Sequence, residues 1–302
     1  MIVDVTQTTD VHQHLWPEPF VDALRARTCP PRLHDWVLET AGEPAFTVDA
    51  ADHDAATRRR LDRDEGVDRA VVSLSSPLGI EWMQPEDGQP LLDAWHRGAL
   101  ELGEGFDVWA AVSVREPAPE AVSAALDLGC VGLQVPADAM GTPRDLDRIA
   151  VLLQVCERRD VPVLVHPGPA TATTDLPGWW APVVDYTTQL QAAWWAWHVE
   201  GRRLLPALRI CFVAGAGLAP LQHERLAARG GRPLGFDPGV FVDTSSYGPR
   251  SVAALVGALG VDPVVLGSDR PYAEPADLGL DAAATRAVRG DNPRRLLQGT
   301  TR

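Results

Sequence analysis

The sequence predicts a single (β/α)8 barrel, a TIM barrel, that spans residues 1–302, and three observations support this prediction. Short apolar or β-branched runs alternate along the chain with longer segments of helical period. There are eight such runs, each nearly continuous in its hydrophobicity, as in parallel strands covered on both faces. No repeat or low-complexity linker marks a second domain. An open doubly wound sheet is the alternative architecture.

The predicted strands follow one another at intervals that leave room for crossover helices. Residues 49–66, 142–160 and 249–260 have helical character, and the first and last of these segments end at Gly, as helix C-termini prefer. The strands are predicted at 8–14, 69–74, 107–113, 130–135, 162–166, 209–214, 240–244 and 263–268.

Two segments interrupt this alternation. Residues 15–48, after the first strand, and 167–182, after the fifth, are rich in Pro and lack clear periodicity. Loops that follow strands emerge at the C-terminal mouth of a barrel, where barrel enzymes place their active sites. We therefore expect both insertions to cover that mouth.

Composition excludes several functional classes. The chain has 302 residues, 45% of them hydrophobic and 23% charged, and its net charge of −14 should repel nucleic acid and anionic membranes. We expect a small-molecule or protein partner. All 27 basic residues are Arg, so a Schiff-base lysine, a Walker-type lysine and a metal pair bridged by a carboxylated lysine are all excluded.

The cysteines and the N-terminus suggest a reduced, cytoplasmic protein. Cys29, Cys130, Cys156 and Cys211 show no CxxC spacing, and we expect core thiols. The N-terminus lacks a basic segment followed by an apolar run, and no stretch approaches the ~18 apolar residues of a membrane span.

Four residues form a candidate metal site. His12 and His14 are two apart on the first strand, so their side chains share a face. His166 ends the fifth strand and Asp269 follows the eighth, so all four occupy equivalent positions at the rim. Three His and one carboxylate can hold one Zn²⁺, and Mn²⁺ or Fe²⁺ also accept such donors. The alternative is a set of rim residues without a metal.

Motifs along nearly the whole chain resemble the amidohydrolase-2 family of metal-dependent hydrolases and decarboxylases. DVHQHLWPEPFVDAL (10–24) is similar to the family's Asp-x-His-x-His opening, and VLVHPG (163–168) to its fifth-strand histidine. VFVDTS (240–245), VVLGSDRPY (264–272) and DNPRRLLQ (291–298) look like its seventh strand, its eighth-strand Gly-Ser-Asp-x-Pro and its closing helix. The resemblance implies a TIM barrel with one metal ion.

One position departs from the family pattern. Where the family carries a histidine after the sixth strand, in Ala-His-x-Gly-Gly followed by Pro, this chain has VAGAGLAP (213–220) and Gly215. In decarboxylase relatives that histidine is thought to handle the metal-bound water. Asp269 can replace it as the base, as related amidohydrolases imply. His198 and His223 are alternatives, although both lie in helical segments.

Aromatic residues near the predicted mouth are candidates for substrate binding. Trp179 and Trp180 in the second insertion, with Trp16 after the His pair, suit the wall of a pocket for a flat or hydrophobic ligand. Trp194 and Trp197 can either line the pocket or pack the helix against the barrel.

Basic residues offer a second kind of candidate contact. Arg270 can bind a substrate carboxylate through a bidentate fork, beside Tyr272, or it can pair with a neighbouring acid. We interpret residues 58–60, an Arg run among acids, as a solvated helix face.

The leading functional prediction is a metal-dependent hydrolase acting on an ester, lactone or amide of a small acid, aromatic acids included, with Asp269 and His166 as catalytic residues. Non-oxidative decarboxylation of an aromatic or unsaturated acid is the first alternative. A barrel that binds ligand without turnover, because of Gly215, is the second, and a metal-free lactonase lies between them. A homodimer is compatible with the sequence and not required by it.

Overall fold

The computed structural model describes residues 7–171, 176–232, 235, 237–274 and 276–299, and it shows eight parallel strands wrapped into a barrel with helices between them. Each barrel strand pairs with the next one along the chain. The strands are β1 (Thr9–His14), β2 (Arg32–His34), β3 (Val37–Glu39), β4 (Phe46–Thr47), β5 (Arg69–Ser73), β6 (Phe106–Ala111), β7 (Gly132–Pro136), β8 (Val163–His166), β9 (Ile210–Phe212), β10 (Val240–Asp243) and β11 (Val264–Val265).

The barrel closes between its first strand, β1, and the segment that follows its last, β11. Val11 N–H donates to Leu266 O (2.9 Å), Asp269 N–H to His12 O (2.9 Å) and His14 N–H to Arg270 O (2.6 Å). These hydrogen bonds place the residues after β11 beside the C-terminal half of β1. The (β/α)8 prediction is confirmed, and so is the location of all eight barrel strands.

The helices form the outer layer, and many begin at a proline, whose missing N–H and fixed φ suit the first helical turn. They are α1 (Glu18–Arg25), α2 (Ala55–Asp64), α3 (Pro85–Leu100), α4 (Pro119–Asp127), α5 (Pro143–Arg158), α6 (Tyr186–Ala196), α7 (Arg202–Leu204), α8 (Ala214–Gly217), α9 (His223–Ala228), α10 (Pro249–Leu259), α11 (Ala282–Arg286) and α12 (Asn292–Gln298), of which α8 is a single, largely buried turn with left-handed backbone. Among the described residues, no helix combines the length and the hydrophobicity that a membrane span requires.

The first insertion contains structure that the sequence did not predict. β2, β3 and β4 form a small antiparallel sheet in which Arg32 pairs with Glu39 and Leu38 with Phe46. The guanidinium of Arg32 donates to both carboxylate oxygens of Glu39 at 2.9 Å. Strands of two or three residues leave too short an alternation to be found by periodicity.

The two insertions meet over the C-terminal mouth of the barrel. The Tyr186 hydroxyl, at the start of α6, donates to Glu43 in the first insertion. Gly42 packs so closely on the carbonyl of Ala170 in the second insertion that a Cβ there would overlap it. Both contacts agree with the expected cover, and part of the second insertion, residues 172–175, lies outside the described residues.

Burial corrects two expectations from the sequence. Cys130, Cys156 and Cys211 are buried free thiols as expected, but Cys29 is exposed. Arg58 is buried, which contradicts its assignment to a solvated face, whereas Arg60 is exposed. The guanidinium of Arg58 donates to the carbonyls of His14 (2.8 Å) and Asp52 (3.0 Å). It is therefore bound to backbone acceptors beneath the mouth instead of facing solvent.

Candidate metal centre

Alternation along β1 points His12 and His14 into the barrel, and both rings are buried. His166 ends β8, and Asp269 lies in the turn after β11 that closes onto β1. The structure brings these four predicted residues together: one ligand atom from each lies within 4.8 Å of all the others.

The three imidazole rings present the same atom to one point. His14 Nε2 lies 3.2 Å from Nε2 of both His12 and His166, and Asp269 Oδ1 lies 3.2 Å from His14 Nε2 and 3.5 Å from His12 Nε2. The ring planes are nearly perpendicular, with centroids about 5 Å apart. The rings therefore do not stack, and their nitrogens converge edge-on.

The Nδ1 atoms show which ring nitrogens carry protons. His14 Nδ1 lies 3.0 Å from Ser73 O, and His166 Nδ1 lies 2.9 Å from Pro167 O. A carbonyl oxygen can only accept, so Nδ1 holds the proton in both rings. His12 Nδ1 similarly donates to Asp243 Oδ2 at 2.8 Å. In the neutral rings each Nε2 is therefore unprotonated and has a free lone pair.

Three lone pairs and a carboxylate oxygen facing one another repel unless a cation lies among them. Atoms bound at about 2.1 Å to one ion lie roughly 3.0–3.4 Å apart; the three separations of 3.2 Å match this range, and the His12–Asp269 separation of 3.5 Å is slightly wider. The donor set therefore fits one divalent metal ion.

Burial and neighbouring charge act on these groups in opposite directions. Burial alone lowers the pKa of His12, but its hydrogen bond to Asp243 and the charge of Asp243 outweigh burial and raise it. The pKa of His14 and that of His166 are lowered, chiefly by burial. Burial would raise the pKa of Asp269, but the close approach of its Oδ1 to His14 and the neighbouring imidazole rings lower it, so Asp269 favours the carboxylate form.

The backbone holds Asp269 in an uncommon conformation. Its φ is +61°, in the left-handed region, and its carbonyl accepts from the N–H groups of Tyr272 (2.8 Å) and Ala273 (3.1 Å). This turn leaves 21% of the side chain exposed. Oδ1 faces the histidines, while Oδ2 lies 3.4 Å from Ser246 Oγ, so the two oxygens have different surroundings.

Gly215, the position where the family places a further histidine, does not face the convergent nitrogens. A Cβ there would point at Leu255 Cδ1, 2.7 Å away, and φ is +53°. His198 and His223 pack with Trp194 and Trp195, and His223 Nε2 accepts from Trp194 Nε1 at 3.2 Å. Asp269 is thus the sequence-proposed base that contacts the ligand atoms.

Asp243 is a site residue that sequence reasoning missed. The motif VFVDTS was recognised as a strand, but no role was given to its carboxylate, which is fully buried and contacts His12. Alternation was the available signal, because Phe241 pairs with Cys211 on the inner face and Asp243 is two residues further on.

The predicted substrate-binding aromatic residues have different environments. Tyr272 is 44% exposed and its ring centroid lies 5.3 Å from that of His14, so it can line the site. Trp179 is 57% exposed, and its ring lies 5.9 Å from that of Trp180. Trp16 is buried: it stacks on His53 and donates to Ser75 Oγ (3.1 Å), so it packs in the core instead of forming a free wall.

Two further expectations about side chains are resolved by packing. The guanidinium of Arg270 is engaged by Glu65 and Asp62, which is the ion-pair alternative and corrects its assignment to substrate binding. Trp194 and Trp197 are buried in the core, the packing alternative.

One cavity lies away from this centre. Its volume is about 620 Å³, and Pro206, Arg209 and Gly239 place it at the N-terminal end of the barrel strands. The guanidinium groups in its lining all have acceptors: Arg202 donates to Asp237 and to three carbonyls, Arg209 donates to Asp160 and Leu296 O, and Arg295 donates to Asp262 O while its Nε has no partner among the described residues. We therefore assign no function to it.

Comparison with solved structures supports the fold. IDCase from Metarhizium anisopliae, in its apo form, matches with a TM-score of 0.78 and 15% identity, over 99% of this chain and 98% of that chain. The 5-carboxyvanillate decarboxylase LigW from Sphingomonas paucimobilis matches at 0.71 and 17%, over 98% and 100%.

A third neighbour carries a metal. The 5-carboxyvanillate decarboxylase from Novosphingobium aromaticivorans, complexed with manganese and 4-hydroxy-3-methoxy-5-nitrobenzoic acid, matches at 0.69 and 16% identity, over 98% and 97%. No family model and no curated protein matches the sequence. At these sequence identities the comparisons establish the barrel fold but not the activity, which has to be argued from the residues of the site.

Proposed function

We propose that this chain is a metal-dependent enzyme of the amidohydrolase-2 type that removes CO2 non-oxidatively from an aromatic or unsaturated acid. The observation that supports it most is the convergence of three Nε2 lone pairs and Asp269 at the mouth of a TIM barrel. Neighbours of the same fold are decarboxylases of aromatic acids, and this favours decarboxylation over the hydrolysis that leads from the sequence alone.

His12, His14, His166 and Asp269 are the residues that would hold the ion. When bound, a divalent cation would withdraw electron density from a coordinated carboxylate or carbonyl group. The donor set accepts Zn²⁺, which we favour from the sequence, and also Mn²⁺ or Fe²⁺, and one neighbour was solved with manganese.

The protein's own groups would orient the substrate and move a proton. Tyr272 flanks His14 and offers an exposed aromatic face for a flat ring. Trp179 and Trp180 are the further wall candidates from the second insertion. When the bond between the substrate carbon and its carboxylate group breaks, that carbon needs a proton to form C–H. Asp269 Oδ2, which is turned away from the histidines, is the atom that would take up this proton and return it to the carbon.

Hydrolysis of an ester, lactone or amide is the second candidate, and the same Asp269 geometry favours it. Asp269 Oδ1 faces the histidine nitrogens, while Oδ2 faces Ser246. A carboxylate with one oxygen free of the ligand atoms can serve as a general base for water. His166 would then act only by holding the ion. We also propose a small-molecule ligand, a homodimer and a cytoplasmic location.

One assay separates these candidates. Purified protein loaded with Mn²⁺ or Zn²⁺ is incubated with hydroxybenzoic acids, aryl esters and lactones, and CO2 and free acid are measured. Decarboxylation releases CO2 and, in D2O, leaves deuterium at the ring carbon, whereas hydrolysis releases acid without CO2. Activity that persists in a His12→Ala, His14→Ala variant would refute a metal-dependent reaction. Loaded protein that binds the acids without turnover would instead support the ligand-binding barrel.

A further inference from the structure

The turn after the sixth barrel strand has an unusual backbone. Five consecutive residues, 214–218, have φ between +46° and +63°, and three of them, Ala214, Ala216 and Leu218, are not glycine. Left-handed backbone costs roughly 1–2 kcal/mol per L-residue, so such a turn persists only where its surroundings hold it. What the turn presents to the barrel is the N–H of Ala214, which donates to Asp243 Oδ1 (2.7 Å).

The two oxygens of Asp243 are used differently. Oδ1 accepts three hydrogen bonds, from Ala214 N–H, from Ser245 N–H (3.0 Å) and from Ser245 Oγ (2.6 Å). Oδ2 accepts from His12 Nδ1 alone among the described side chains. The backbone of Gly267 lies directly against this carboxylate, since a Cβ there would overlap Oδ2. The carboxylate therefore has one orientation.

We propose that Asp243 is a positioning residue that keeps the proton of His12 on Nδ1, and so keeps His12 Nε2 free to bind a metal ion. The left-handed turn and Ser245 fix the carboxylate, and the carboxylate fixes the ring. The altered segment around Gly215 thus serves the metal centre through a backbone N–H instead of a histidine side chain. This inference rests on the proposed metal centre, because its purpose is to prepare a ligand.

Because of these hydrogen bonds, the isosteric variant Asp243→Asn should disturb the tautomer of His12 more than truncation does. In Asp243→Asn, three donors still point at the Oδ1 position, so the amide oxygen has to occupy it and the NH2 group has to face His12. His12 Nδ1 then becomes an acceptor, and the proton moves to Nε2, among the other ligand atoms. An equivalent Asp-to-Asn change imposes the wrong tautomer on a catalytic histidine elsewhere.

Truncation has a milder expected effect on the ring. Asp243→Ala removes the partner of Nδ1 and forces neither tautomer, so His12 can still present Nε2. We therefore expect metal affinity to fall by about 10–100-fold in Asp243→Asn and by less in Asp243→Ala. A purely structural role predicts the opposite order, because truncation leaves a cavity and removes the acceptor of the Ser245 N–H and hydroxyl, while the Ala214 N–H keeps Ser245 Oγ (3.0 Å).

The matched control is Asp10→Asn. Asp10 is also a buried carboxylate at the mouth, and it accepts from His12 N–H (3.1 Å), Gln13 Nε2 (2.8 Å) and Ser268 N–H (3.1 Å). It has no hydrogen bond to an imidazole nitrogen among the described residues. Its replacement should alter stability without changing the tautomer of His12.

The experiment combines two measurements on folded protein, with folding checked by circular dichroism. Nitrogen-15 chemical shifts of the histidine rings in metal-free protein report the tautomer of His12, and competition with a chelator gives the Mn²⁺ and Zn²⁺ affinities. Support requires Nδ1–H in the wild type and in Asp10→Asn, Nε2–H in Asp243→Asn, and weaker metal binding in Asp243→Asn than in Asp243→Ala. Nδ1–H in Asp243→Asn, or metal binding as tight as in Asp243→Ala, would overturn the proposal. A wild type that binds no metal would defeat the proposed function, and the tautomer alone would then decide this inference.

Discussion

At the scale of single residues, the candidate centre is built by orienting imidazole rings. His12, His14 and His166 anchor Nδ1 on Asp243, on the Ser73 carbonyl and on the Pro167 carbonyl, respectively. Each anchor comes from a different part of the barrel, so the three Nε2 atoms converge only when the barrel is closed. Anchoring of this kind restricts ring rotation before a metal ion binds.

A second buried group near the mouth has an incomplete set of hydrogen bonds. Glu81 Oε1 accepts from Ser76 Oγ, while both protons of Gln134 Nε2 go to Leu74 O (2.8 Å) and Ser76 Oγ (2.7 Å). Glu81 Oε2 and Gln134 Oε1 have no donor among the described residues. Burial raises the pKa of Glu81 to about 7, and a proton on Oε2 would relieve this shortage.

Glu81 should therefore make stability depend on pH. Its pKa is raised above the ordinary value of 4.5, so its contribution is present below about pH 4.5 and is lost as the pH rises towards about 7. Glu81→Gln mimics the protonated acid. We expect the variant to exceed the wild type in free energy of unfolding by less than about 1 kcal/mol at pH 5 and by about 3 kcal/mol at pH 8.

Denaturant unfolding of both proteins at the two pH values, with equal metal content, measures this difference. A difference that is the same at pH 5 and pH 8 would show that Glu81 does not titrate in this range.

Residue identity predicted the four candidate ligands but not what supports them. The ligand residues stand out because His and Asp end apolar strands. Arg58 could not be placed, because a run of three arginines among acids looks the same whether or not one of them turns inwards to the His14 carbonyl. Alternation indicates only the face on which Asp243 lies; its contact with His12 required knowing that β11 alone separates β10 from β1 in the closed barrel, which is tertiary information.

At the scale of elements, the cover of the mouth depends on contact between the two insertions. Gly42 lies against the carbonyl of Ala170, and its backbone does not need a positive φ. The small sheet β2–β3–β4 supports this approach by burying Leu33 and Leu38. The sequence predicted where the insertions lie, because that follows from strand order, but not the sheet, whose pairing is non-local.

Adding a methyl group at this contact should separate the insertions. In Gly42→Ala the new Cβ would overlap the Ala170 carbonyl, and overpacking of this kind costs about 1–3 kcal/mol. We expect lower stability by that amount and faster proteolysis within the insertions. Gly178→Ala is the control, since its Cβ would meet nothing within 4 Å. Equal proteolysis rates in the two variants would contradict close contact at Gly42.

At the scale of the whole molecule, the fold was predictable because a parallel barrel repeats one signal. Eight apolar runs separated by helical segments mark the strands even when individual bounds shift by one to three residues. Connection lengths, the insertion sheet and the left-handed turn at 214–218 depend on packing partners and did not follow from the sequence.

Whole-molecule charge also bears on the substrate. The net charge is −14, because 41 acidic residues outnumber 27 arginines, so the overall field of the protein repels a carboxylate substrate. Arg58 and Arg270, the arginines identified beside β1, are engaged by backbone or acidic partners. A bound metal ion would therefore supply the positive charge that an acid substrate needs at this mouth.

Metal content of the purified protein, measured by inductively coupled plasma mass spectrometry, tests the metal centre most directly. The comparison is with the His12→Ala, His14→Ala variant, and a His198→Ala variant controls for loss of a histidine outside the centre. We predict about one equivalent of a transition metal per chain in the wild type and in His198→Ala, and almost none in the double variant. No metal in the wild type, even after incubation with Zn²⁺ or Mn²⁺, would contradict the metal centre.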